Sequence, residues 1–593
     1  MVHIPLFSSA AAFLSVLTIV ASWHSAILVM CERLLAVPSV HTMQEKHSCF
    51  LCGAVAEIAC PGCGVVWYCC QAHGRLHYRE EEGTCFPWSV EEREGVGRLM
   101  VTTRKVLAGE TLFLEEPIVH GPNQVGSPIC LTCYSSITLD YLCSKCGYPM
   151  CDKECEEDPA HAEECQVLAR GDKPVFTDGE TEAYHCILPL RMILLARSDP
   201  ERFSLADNLM DHEEERRGGA DWITTERTVV HNLLHTCKGG AYEKMTESEI
   251  RRAVGVLEVN CYEVHSFINK NAAHNCGFRA SFPAASLLSH GCVANSRHVW
   301  GISPPYTNKC IATVDIEAGE EVITSYLHPT TCSLRRRPKL QAGWYFDCNC
   351  RRCCSPTELG TNHNTLVCPL CRQASLLPEF PRQFEGVWKC NCGFTVPEPQ
   401  IKLILEEMFA EITKLIKTNR YNTELWLTFL DTALSVVHPQ HEVIIEIAKF
   451  LMPVLCRAPG RRTSDFPLSL VRKKLELARW YLNVTNIVDP GYSKQRIKVL
   501  YEVVETKLFL TFQDQHEIGV VREVLENSEK DLQSIIDVFD KLKPDKGFET
   551  FILRASVNLA KQCREIVDQM EKDLFSITDW REGRWGLLEL CQL

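Results

Sequence analysis

The sequence predicts an α+β protein of several domains: small zinc modules, a β-rich central domain split by zinc-binding and helical insertions, and an all-α C-terminal domain. Three observations predict this architecture. Cysteine pairs with the spacing of zinc ligands recur within the first 165 residues, and alternating apolar segments typical of strands lie between and after them. From Ile401 onward, apolar residues recur at helical spacing. At 593 residues the chain is long enough to bury several cores.

The composition argues against two classes of protein. Hydrophobic residues make up 46% of the chain and charged residues 23%, which is typical of a globular rather than a disordered protein. The formal net charge is −14. Because DNA affinity depends on Lys and Arg side chains that neutralise phosphates, no direct sequence-specific nucleic-acid binding is expected. The 33 cysteines include many close pairs, which indicate metal sites in a reducing compartment rather than disulfides.

The N-terminal segment, residues 1–43, is apolar. Its first 31 residues contain no Lys, Arg, Asp or Glu, and the stretch from Ala10 to Val29 is long enough to span a bilayer. A secretory signal peptide would normally begin with a basic residue, and this segment does not. Three interpretations stay open: a signal anchor, a buried helix, or upstream sequence with Met43 as the working start. Membrane contact over residues 4–30 is therefore undecided, and the expected location is the cytoplasm, the nucleus or both.

The first zinc module is predicted over residues 44–90. A C-x2-C step places two thiolates on one tight turn, and eight ligands in four short pairs suit two tetrahedral zinc ions. The candidate ligands are Cys49, Cys52, Cys60, Cys63, Cys69, His73, His77, Glu81 and Cys85. His77 and Glu81 compete for one position, and ligand softness favours His77.

A second module with the same plan is predicted over residues 126–170. Its candidate ligands are Cys130, Cys133, Cys143, Cys146, Cys151, Cys155, His161 and Cys165. Two shorter clusters follow it. The first has Cys348, Cys350 and Cys353 in residues 346–360 and lacks a fourth ligand nearby. The second has the pattern of a zinc ribbon in residues 361–400, with ligands Cys368, Cys371, Cys390 and Cys392.

The segments between the zinc clusters are predicted as strands and helices. Residues 95–104 and 108–117 alternate around an Ala-Gly-Glu turn, which predicts a β-hairpin within the segment 91–125. Helical spacing recurs over residues 184–197 and 248–268, and it predicts a helical insert over residues 171–250. Strand-like segments return at residues 311–314 and 321–326 in the central segment 251–345, and residues 401–593 are predicted to be helical.

The first zinc module resembles a MYND zinc finger. The resemblance is carried by W-Y-C-C-Q-A-H, from Trp67 to His73, with histidine in the place of the family's sixth cysteine. The second module is similar to a more divergent unit of the same kind. This resemblance implies that the module docks proline-containing peptides.

The central domain resembles a SET domain. The segment S-H-G-C-V-A-N, from Ser289 to Asn295, resembles the NHSC-x-PN motif, and G-E-E-V-I-T-S-Y, from Gly319 to Tyr326, resembles the GEE strand that ends in tyrosine. The cysteines from 348 to 353 match the post-SET cysteines. With the hairpin at Gly97 and residues 258–260, the match covers about residues 91–355. The chain is identified as a member of the SET and MYND domain family, similar to its arthropod branch, which carries two cysteine modules and a ribbon.

The resemblance implies transfer of a methyl group from S-adenosylmethionine to a lysine amine of a protein or peptide. It gives Tyr326 the catalytic role of orienting the amine, and it implies that Cys292 completes the post-SET zinc site. Five or six Zn2+ ions are then expected. The implied cofactor-binding residues are Gly97, Arg98, Asn260, Ser289, His290, Tyr326 and Phe346.

Four departures from the family pattern lie close to the implied cofactor site. Ser289 stands in place of an asparagine, Gly291 of a serine, Ala294 of a proline and Leu99 of a glycine. An amide lost opposite a buried polar group costs about 1 to 3 kcal/mol. Two hypotheses therefore compete: a protein-lysine methyltransferase whose activity is weak, and a non-catalytic adaptor that binds partner proteins in transcriptional or signalling complexes.

Overall fold

The computed structural model describes residues 47–124, 127–176, 182–236, 245–266, 276–301, 304–456, 462–514, 516–543 and 548–571. The expectations for residues 1–43, namely the alternative start at Met43 and the membrane contact of residues 4–30, lie outside the described residues. Within the part of the chain that is described, no helix combines the length and the apolarity needed to cross a membrane.

Very short elements form the N-terminal zinc module. They are β1 (His47–Ser48), β2 (Val55–Ala56), β3 (Ile58–Ala59), β4 (Trp67–Tyr68), α1 (Gln71–Arg75), β5 (Tyr78–Arg79) and β6 (Thr84–Cys85). The strands pair in sequence as three antiparallel ribbons, β1 with β2, β3 with β4, and β5 with β6. Ribbons of two residues cannot hold themselves together, so metal ligation is the expected source of their order.

Several small sheets build the central domain. Its strands are β7 (Trp88–Arg93), β8 (Gly97–Thr102), β9 (Thr111–Glu115), β10 (Val119–Pro122), β11 (Cys261–Ser266), β12 (Cys276–Ser281), β13 (Ser289–His290), β14 (Ser296–Trp300), β15 (Asn308–Ala312) and β16 (Ile323–Thr324). The sheet orders are β7-β8, β10-β12-β11 and β14-β15-β9, and β13 pairs with β16 in parallel. A short 3-10 helix, Ala285–Leu287, leads into β13.

Two local predictions for the central domain are wrong. The predicted hairpin between residues 95–104 and 108–117 does not form: β8 pairs with the preceding β7, and β9 pairs with the distant β15. Both faces of β9 carry buried apolar residues, which favours a place inside a larger sheet over a hairpin edge. The helix predicted over residues 248–268 ends at Asn260, and residues 261–266 form β11. Tyr262 and Val264 favour a strand there because aromatic and β-branched side chains pack well on a pleated surface.

The helical insert packs on the central domain. The helices α2 (Lys153–Glu156) and α3 (Pro159–Leu168) belong to the second zinc module. The helices of the insert are α4 (Ile187–Ser198), α5 (Pro200–Asp207), α6 (Glu213–Arg216), α7 (Ala220–Thr225), α8 (His231–Thr236) and α9 (Glu247–Asn260), with a 3-10 turn at Ala183–Cys186 and a π turn at Glu226–Val230. α9 begins with a capping box, in which Thr246 and Glu249 satisfy each other's backbone N–H. α4 packs between α9 and β10, so the insert forms one wall of the central domain.

The C-terminal region is helical apart from a small sheet. Its elements are α10 (Ser333–Trp344), β17 (Leu377–Pro378), β18 (Val387–Lys389), β19 (Thr395–Pro397), α11 (Glu398–Thr418), α12 (Thr423–Leu434), α13 (Glu442–Leu451), a 3-10 turn (Thr463–Asp465), α14 (Leu468–Val488), α15 (Lys494–Gln513), α16 (Ile518–Leu542) and α17 (Phe548–Glu571). The periodic apolar residues of α11 are buried as predicted; they are Ile401, Leu405, Met408, Ile412 and Leu415. Trp388 of β18 shares one core with Trp426 of α12, and the α+β class is confirmed.

Candidate zinc centres and active-site cavity

Among the described residues, six groups of His, Cys, Asp or Glu side chains bring their ligand atoms within 4.8 Å of one another. Five of these groups are Cys49, Cys52, Cys69 and His73; Cys60, Cys63, His77 and Cys85; Cys130, Cys133, Cys151 and Cys155; Cys143, Cys146, His161 and Cys165; and Cys292, Cys348, Cys350 and Cys353. Four thiolate or imidazole ligands at this separation are the donor set of a tetrahedral zinc site, and these clusters could bind zinc. None of the cysteine side chains that the structure describes forms a disulfide.

The first module has His77, and not Glu81, in its second group. The Nε2 atom of His77 lies 3.4 Å from Sγ of Cys63, and the imidazole is almost fully buried. Glu81 is exposed and lies outside the group. In the first group, Nδ1 of His73 lies 3.3 Å from the sulfur atoms of Cys49 and Cys69. The two histidines therefore present different ring nitrogens to their clusters.

The outer nitrogens of two cluster histidines tie the zinc modules to the helical insert. Nε2 of His73 lies 2.9 Å from Oγ of Ser204 on α5. In the second module, Nδ1 of His161 lies 2.9 Å from Oε1 of the buried Glu164, which accepts hydrogen bonds from Arg191 of α4. A partner on the second ring nitrogen fixes the tautomer and the orientation of a metal-binding histidine.

Cys292 joins the three post-SET cysteines, as the resemblance implied. Its Sγ lies 3.5 Å from Sγ of Cys353 and 3.7 Å from Sγ of Cys348. The ribbon cysteines also converge, because Cys368 and Cys392 place their sulfur atoms 3.6 Å apart, and so do Cys371 and Cys390.

Two hydrogen bonds hold Tyr326, one at its side chain and one at its backbone. Its hydroxyl donates to the carbonyl oxygen of Leu288 at 2.7 Å, and its backbone N–H donates to Nδ1 of His290 at 3.1 Å. Because Nδ1 of His290 accepts this bond, the proton of the neutral imidazole lies on Nε2, which is 3.2 Å from Sγ of Cys292. His290 therefore links the Tyr326 backbone to the post-SET cluster, and its ring nitrogens are both engaged.

Aromatic rings surround Tyr326. The ring centroids of Trp344, His290 and Phe346 lie 5.1, 5.2 and 6.4 Å from that of Tyr326. Burial raises the pKa of Tyr326 to about 12. The hydroxyl is therefore neutral near pH 7 and can orient a bound group but does not act as an anionic base.

A cavity of about 560 Å³ opens beside Tyr326. Its walls come from β11, β14, the segment after β16, and the C-terminal helical domain. Among the lining residues are Asn260, Tyr262, His298, Trp300, Tyr326, Trp344 and Asp489. Asp489, at the end of α14, accepts a hydrogen bond from Arg297 of β14. The cavity is therefore closed on one side by an ion pair between the central and C-terminal domains.

Two of the implied cofactor-binding side chains are bonded to one loop of the helical insert. The guanidinium of Arg98 donates to the carbonyl oxygens of Leu51 and Asn208. The amide of Asn260 donates to the carbonyl oxygens of Met210 and Val256, each at 2.8 Å. The side chain of Arg98 is thus engaged with these carbonyl oxygens, and only its main chain stays available for the cofactor contact that the resemblance implies. In Asn260 the two bonds use Nδ2, and the Oδ1 atom stays available as a hydrogen-bond acceptor.

Comparisons with known proteins agree with this geometry. The chain matches no protein-family model. It is 27% identical over 330 residues to the SET domain-containing protein SmydA-8, isoform A, of Drosophila melanogaster, across 53% of this chain and 66% of that protein. It is 24% identical over 272 residues to the N-lysine methyltransferase SMYD2-B of Xenopus laevis, across 44% of this chain and 59% of that protein.

A third relative is the human histone-lysine N-methyltransferase SMYD3, which is 25% identical over 257 residues, or 41% of this chain and 56% of that protein. The chain is therefore similar to SET domain proteins of the SMYD family. It spans about two thirds or less of the length of these three relatives.

One departure from the motif behind the resemblance, Gly291, lies close to a neighbouring side chain. A Cβ atom on Gly291 would lie 2.5 Å from Cδ1 of Ile323, so the end of the Ile323 side chain would have to move to make room for it. Ile323 also pairs with Ser289 in the parallel β13–β16 ribbon. The glycine is therefore fitted to Ile323. At the hairpin, Gly97 has a φ of 90°, a conformation that favours glycine, and a Cβ there would meet no atom within 4 Å.

The residues of the cavity wall that sequence reasoning missed include Tyr262, His298, Trp300 and Asp489. Tyr262 follows Asn260 by two positions, so a strand beginning at residue 261 would have placed it near the cavity. Asp489 carries no such signal, because its place depends on the docking of α14 against β14.

Proposed function

We propose that the protein is a protein-lysine N-methyltransferase that uses S-adenosylmethionine and docks partner proteins through its zinc modules. The observation that carries the proposal is the position of Tyr326: partly buried among His290, Trp344 and Phe346, fixed by two hydrogen bonds, and lining a cavity large enough for a side chain. Relatives with the names N-lysine methyltransferase and histone-lysine N-methyltransferase support the reaction class.

The residues near Tyr326 fit the cofactor. Oδ1 of Asn260 is an acceptor for an ammonium group, and the half-buried ring of Phe346 offers a face for an adenine. The main chain at Gly97 and Arg98 and the β13 residues Ser289 and His290 complete the proposed set. When bound, S-adenosylmethionine supplies an electrophilic sulfonium methyl group.

The residues of this chain act on the lysine amine: they favour its neutral form and orient it. A lysine with the reference pKa of about 10.4 is about 0.1% neutral at pH 7.4, and the cost of deprotonation is about 4 kcal/mol. A lysine side chain that enters the cavity between Tyr262, Trp300 and Trp344 gives up contact with water, and this desolvation favours the neutral amine. The Tyr326 hydroxyl donates to Leu288, so its oxygen can accept one N–H of the amine and orient the nitrogen lone pair for in-line attack.

Partner docking is the second part of the proposal. The resemblance of residues 67–73 to a MYND finger supports binding of proline-containing peptides at the first module. His47 stacks on Trp67 with ring centroids 3.7 Å apart, which fixes an aromatic surface there. The substrates are proteins or peptides that carry lysine, and the location is the cytoplasm, the nucleus or both.

A non-catalytic adaptor is the second candidate function. It is favoured by the bonds that hold the amide of Asn260 to the carbonyl oxygens of Met210 and Val256, and by Ser289 in place of an amide. An adaptor would use the zinc modules and the C-terminal helices and would not bind the cofactor.

Cofactor binding decides between the two functions. Isothermal titration of the purified chain with S-adenosylmethionine, followed by methyl transfer to lysine peptides, tests the proposal. Binding with transfer supports the methyltransferase. No heat of binding at millimolar cofactor, from protein with its full zinc content, would leave the adaptor.

A further inference from the structure

His298 lies in the wall of the cavity between two aromatic rings. It stacks on Trp300 with centroids 5.1 Å apart and an interplanar angle of 15°, and its centroid lies 5.0 Å from that of Tyr262. All three side chains line the cavity that contains Tyr326. The implied set of family residues gives His298 no role.

A row of hydrogen bonds crosses the sheet to His298. Glu115 on β9 stands opposite Asn308 on β15, and His298 lies on the neighbouring β14. The Nδ2 atom of Asn308 donates to Oε1 of Glu115 at 3.2 Å, and Oδ1 of Asn308 lies 3.0 Å from Nδ1 of His298. Glu115 also accepts hydrogen bonds from the backbone N–H groups of Ala284 and Ala285, so the row is anchored outside the cavity.

This row fixes the tautomer of the imidazole. With its NH2 group turned to the carboxyl group of Glu115, Asn308 presents its oxygen to His298, and an amide oxygen only accepts. In this arrangement Nδ1 of His298 carries the proton, and Nε2 holds the lone pair. Glu115 and Asn308 are almost fully buried, which shields the arrangement from competing water.

The lone pair on Nε2 of His298 is an unsatisfied hydrogen-bond acceptor. Nε2 is buried and finds no hydrogen-bond partner among the residues that the structure describes. Burial lowers the pKa of His298 to about 4, so the imidazole is neutral and the lone pair is available near pH 7. A buried acceptor without a donor is unfavourable, and a donor brought by a ligand would relieve it.

We propose that Nε2 of His298 accepts a hydrogen bond from the side-chain amine of the lysine substrate and so selects for lysine with few methyl groups. This inference rests on the proposed function and deepens it. A neutral unmethylated amine that directs its lone pair at a methyl donor keeps two N–H groups. Tyr326 accepts one and His298 the other, so both are satisfied in a desolvated cavity.

The number of N–H groups on the amine also explains why the site would discriminate between lysines with different numbers of methyl groups. Monomethyl-lysine, with its lone pair directed in the same way, has a single N–H, and dimethyl-lysine has none. Each methyl group already present therefore leaves one acceptor, Tyr326 or His298, without a donor. The site disfavours substrates that are already methylated, and its main product is monomethyl-lysine.

The test compares His298→Phe with Trp300→Phe in the full-length protein. The first variant keeps a ring between Tyr262 and residue 300 but removes the acceptor, and the second changes the same stack without touching the acceptor. We expect His298→Phe to lower kcat/KM about tenfold for an unmethylated lysine peptide and much less for its dimethyl-lysine form. The affinity for S-adenosylmethionine should not change. Equal losses on both peptides, as expected for Trp300→Phe, would overturn the proposal.

A second measurement does not depend on turnover. In protein labelled with 15N-histidine, the His298 signal, identified by its loss in His298→Phe, should report a proton on Nδ1, and addition of n-butylamine should shift Nε2. If no peptide is methylated but this shift occurs, the amine site stands and the proposed function fails. If the protein is active but His298 carries its proton on Nε2, or n-butylamine leaves it unshifted, the inference fails alone.

Discussion

Arg336 donates a hydrogen bond from Nε to Sγ of Cys292 across 3.0 Å, which places a guanidinium against a thiolate of the post-SET cluster. It also donates to Sγ of Cys353 and to the carboxylate of Glu358, and Arg352 donates to the same carboxylate. Both arginines are 1% exposed. Four thiolates around one Zn2+ carry a net charge of −2, so the two guanidinium groups offset charge that water cannot reach.

Arg336→Met should destabilise the central domain strongly. The change leaves thiolates and part of Glu358 without a buried partner, which typically costs about 3 to 5 kcal/mol. Urea unfolding measures the loss, and elemental analysis should show about one zinc ion fewer per chain. The matched control is Arg382→Met, because Arg382 is 48% exposed where it pairs with Asp347, and a surface pair contributes about 1 kcal/mol or less. Equal stability of the two variants would contradict the proposed charge compensation.

Zinc content separates His77 from Glu81. We expect five or six zinc ions per chain, with His77→Ala losing one and Glu81→Ala losing none, because only His77 reaches the cluster. Each structural site contributes about 10 to 16 kcal/mol of apparent binding energy, so a chelator should also unfold the N-terminal half. Mass spectrometry of metal content is the measurement. Two zinc ions or fewer in the parent protein would refute the ligand assignment.

Tyr326→Phe should nearly abolish methyl transfer and leave cofactor affinity close to normal. The ring and its neighbours stay, but the oxygen that orients the amine is lost. The hydroxyl also donates to Leu288, so a stability loss of about 1 kcal/mol is expected as well. Tyr501→Phe in α15, whose hydroxyl bonds to Glu505, controls for that loss without touching the cavity. Normal turnover by Tyr326→Phe on an accepted peptide would reject the site.

Ser289→Asn tests whether the serine weakens the cofactor site. The longer side chain restores an amide, and the affinity for S-adenosylmethionine should rise about tenfold, or about 1.4 kcal/mol. Calorimetry makes the comparison. Ser289→Ala should lower the affinity only if the serine hydroxyl already contacts the cofactor. An unchanged affinity in Ser289→Asn would show that residue 289 does not reach the cofactor.

The zinc ligands could be predicted from the sequence because their spacing is a local property. The two cysteines of a pair such as Cys49 and Cys52 lie within four residues of each other, so the pair can be recognised in the sequence. The choice of His77 over Glu81 followed from ligand chemistry. The link from Cys292 to Cys348 spans 56 positions and has no local signal. It was available only through the resemblance to a known family.

The pairing of the strands and the hydrogen-bond partners of the side chains could not be predicted from the sequence. Residues 108–117 were correctly expected to contain a strand, but β9 pairs with β15 nearly 200 residues later, and local alternation does not identify a distant partner. For the same reason, Arg98 could be placed in a strand, but the pairing of that strand with β7 and the bonds of Arg98 to Leu51 and Asn208 could not be foreseen. These partners depend on how the zinc module and the insert dock.

The interleaving of the ligands makes each N-terminal zinc module indivisible. In the first module, the chain visits one site, then the other, then returns to the first at Cys69 and to the second at His77. A cut anywhere in residues 64–68 would leave both metals with two ligands each. Such a unit can be copied, moved or lost in evolution only as a whole. The two complete copies in this chain are what duplication of an uncuttable unit would leave.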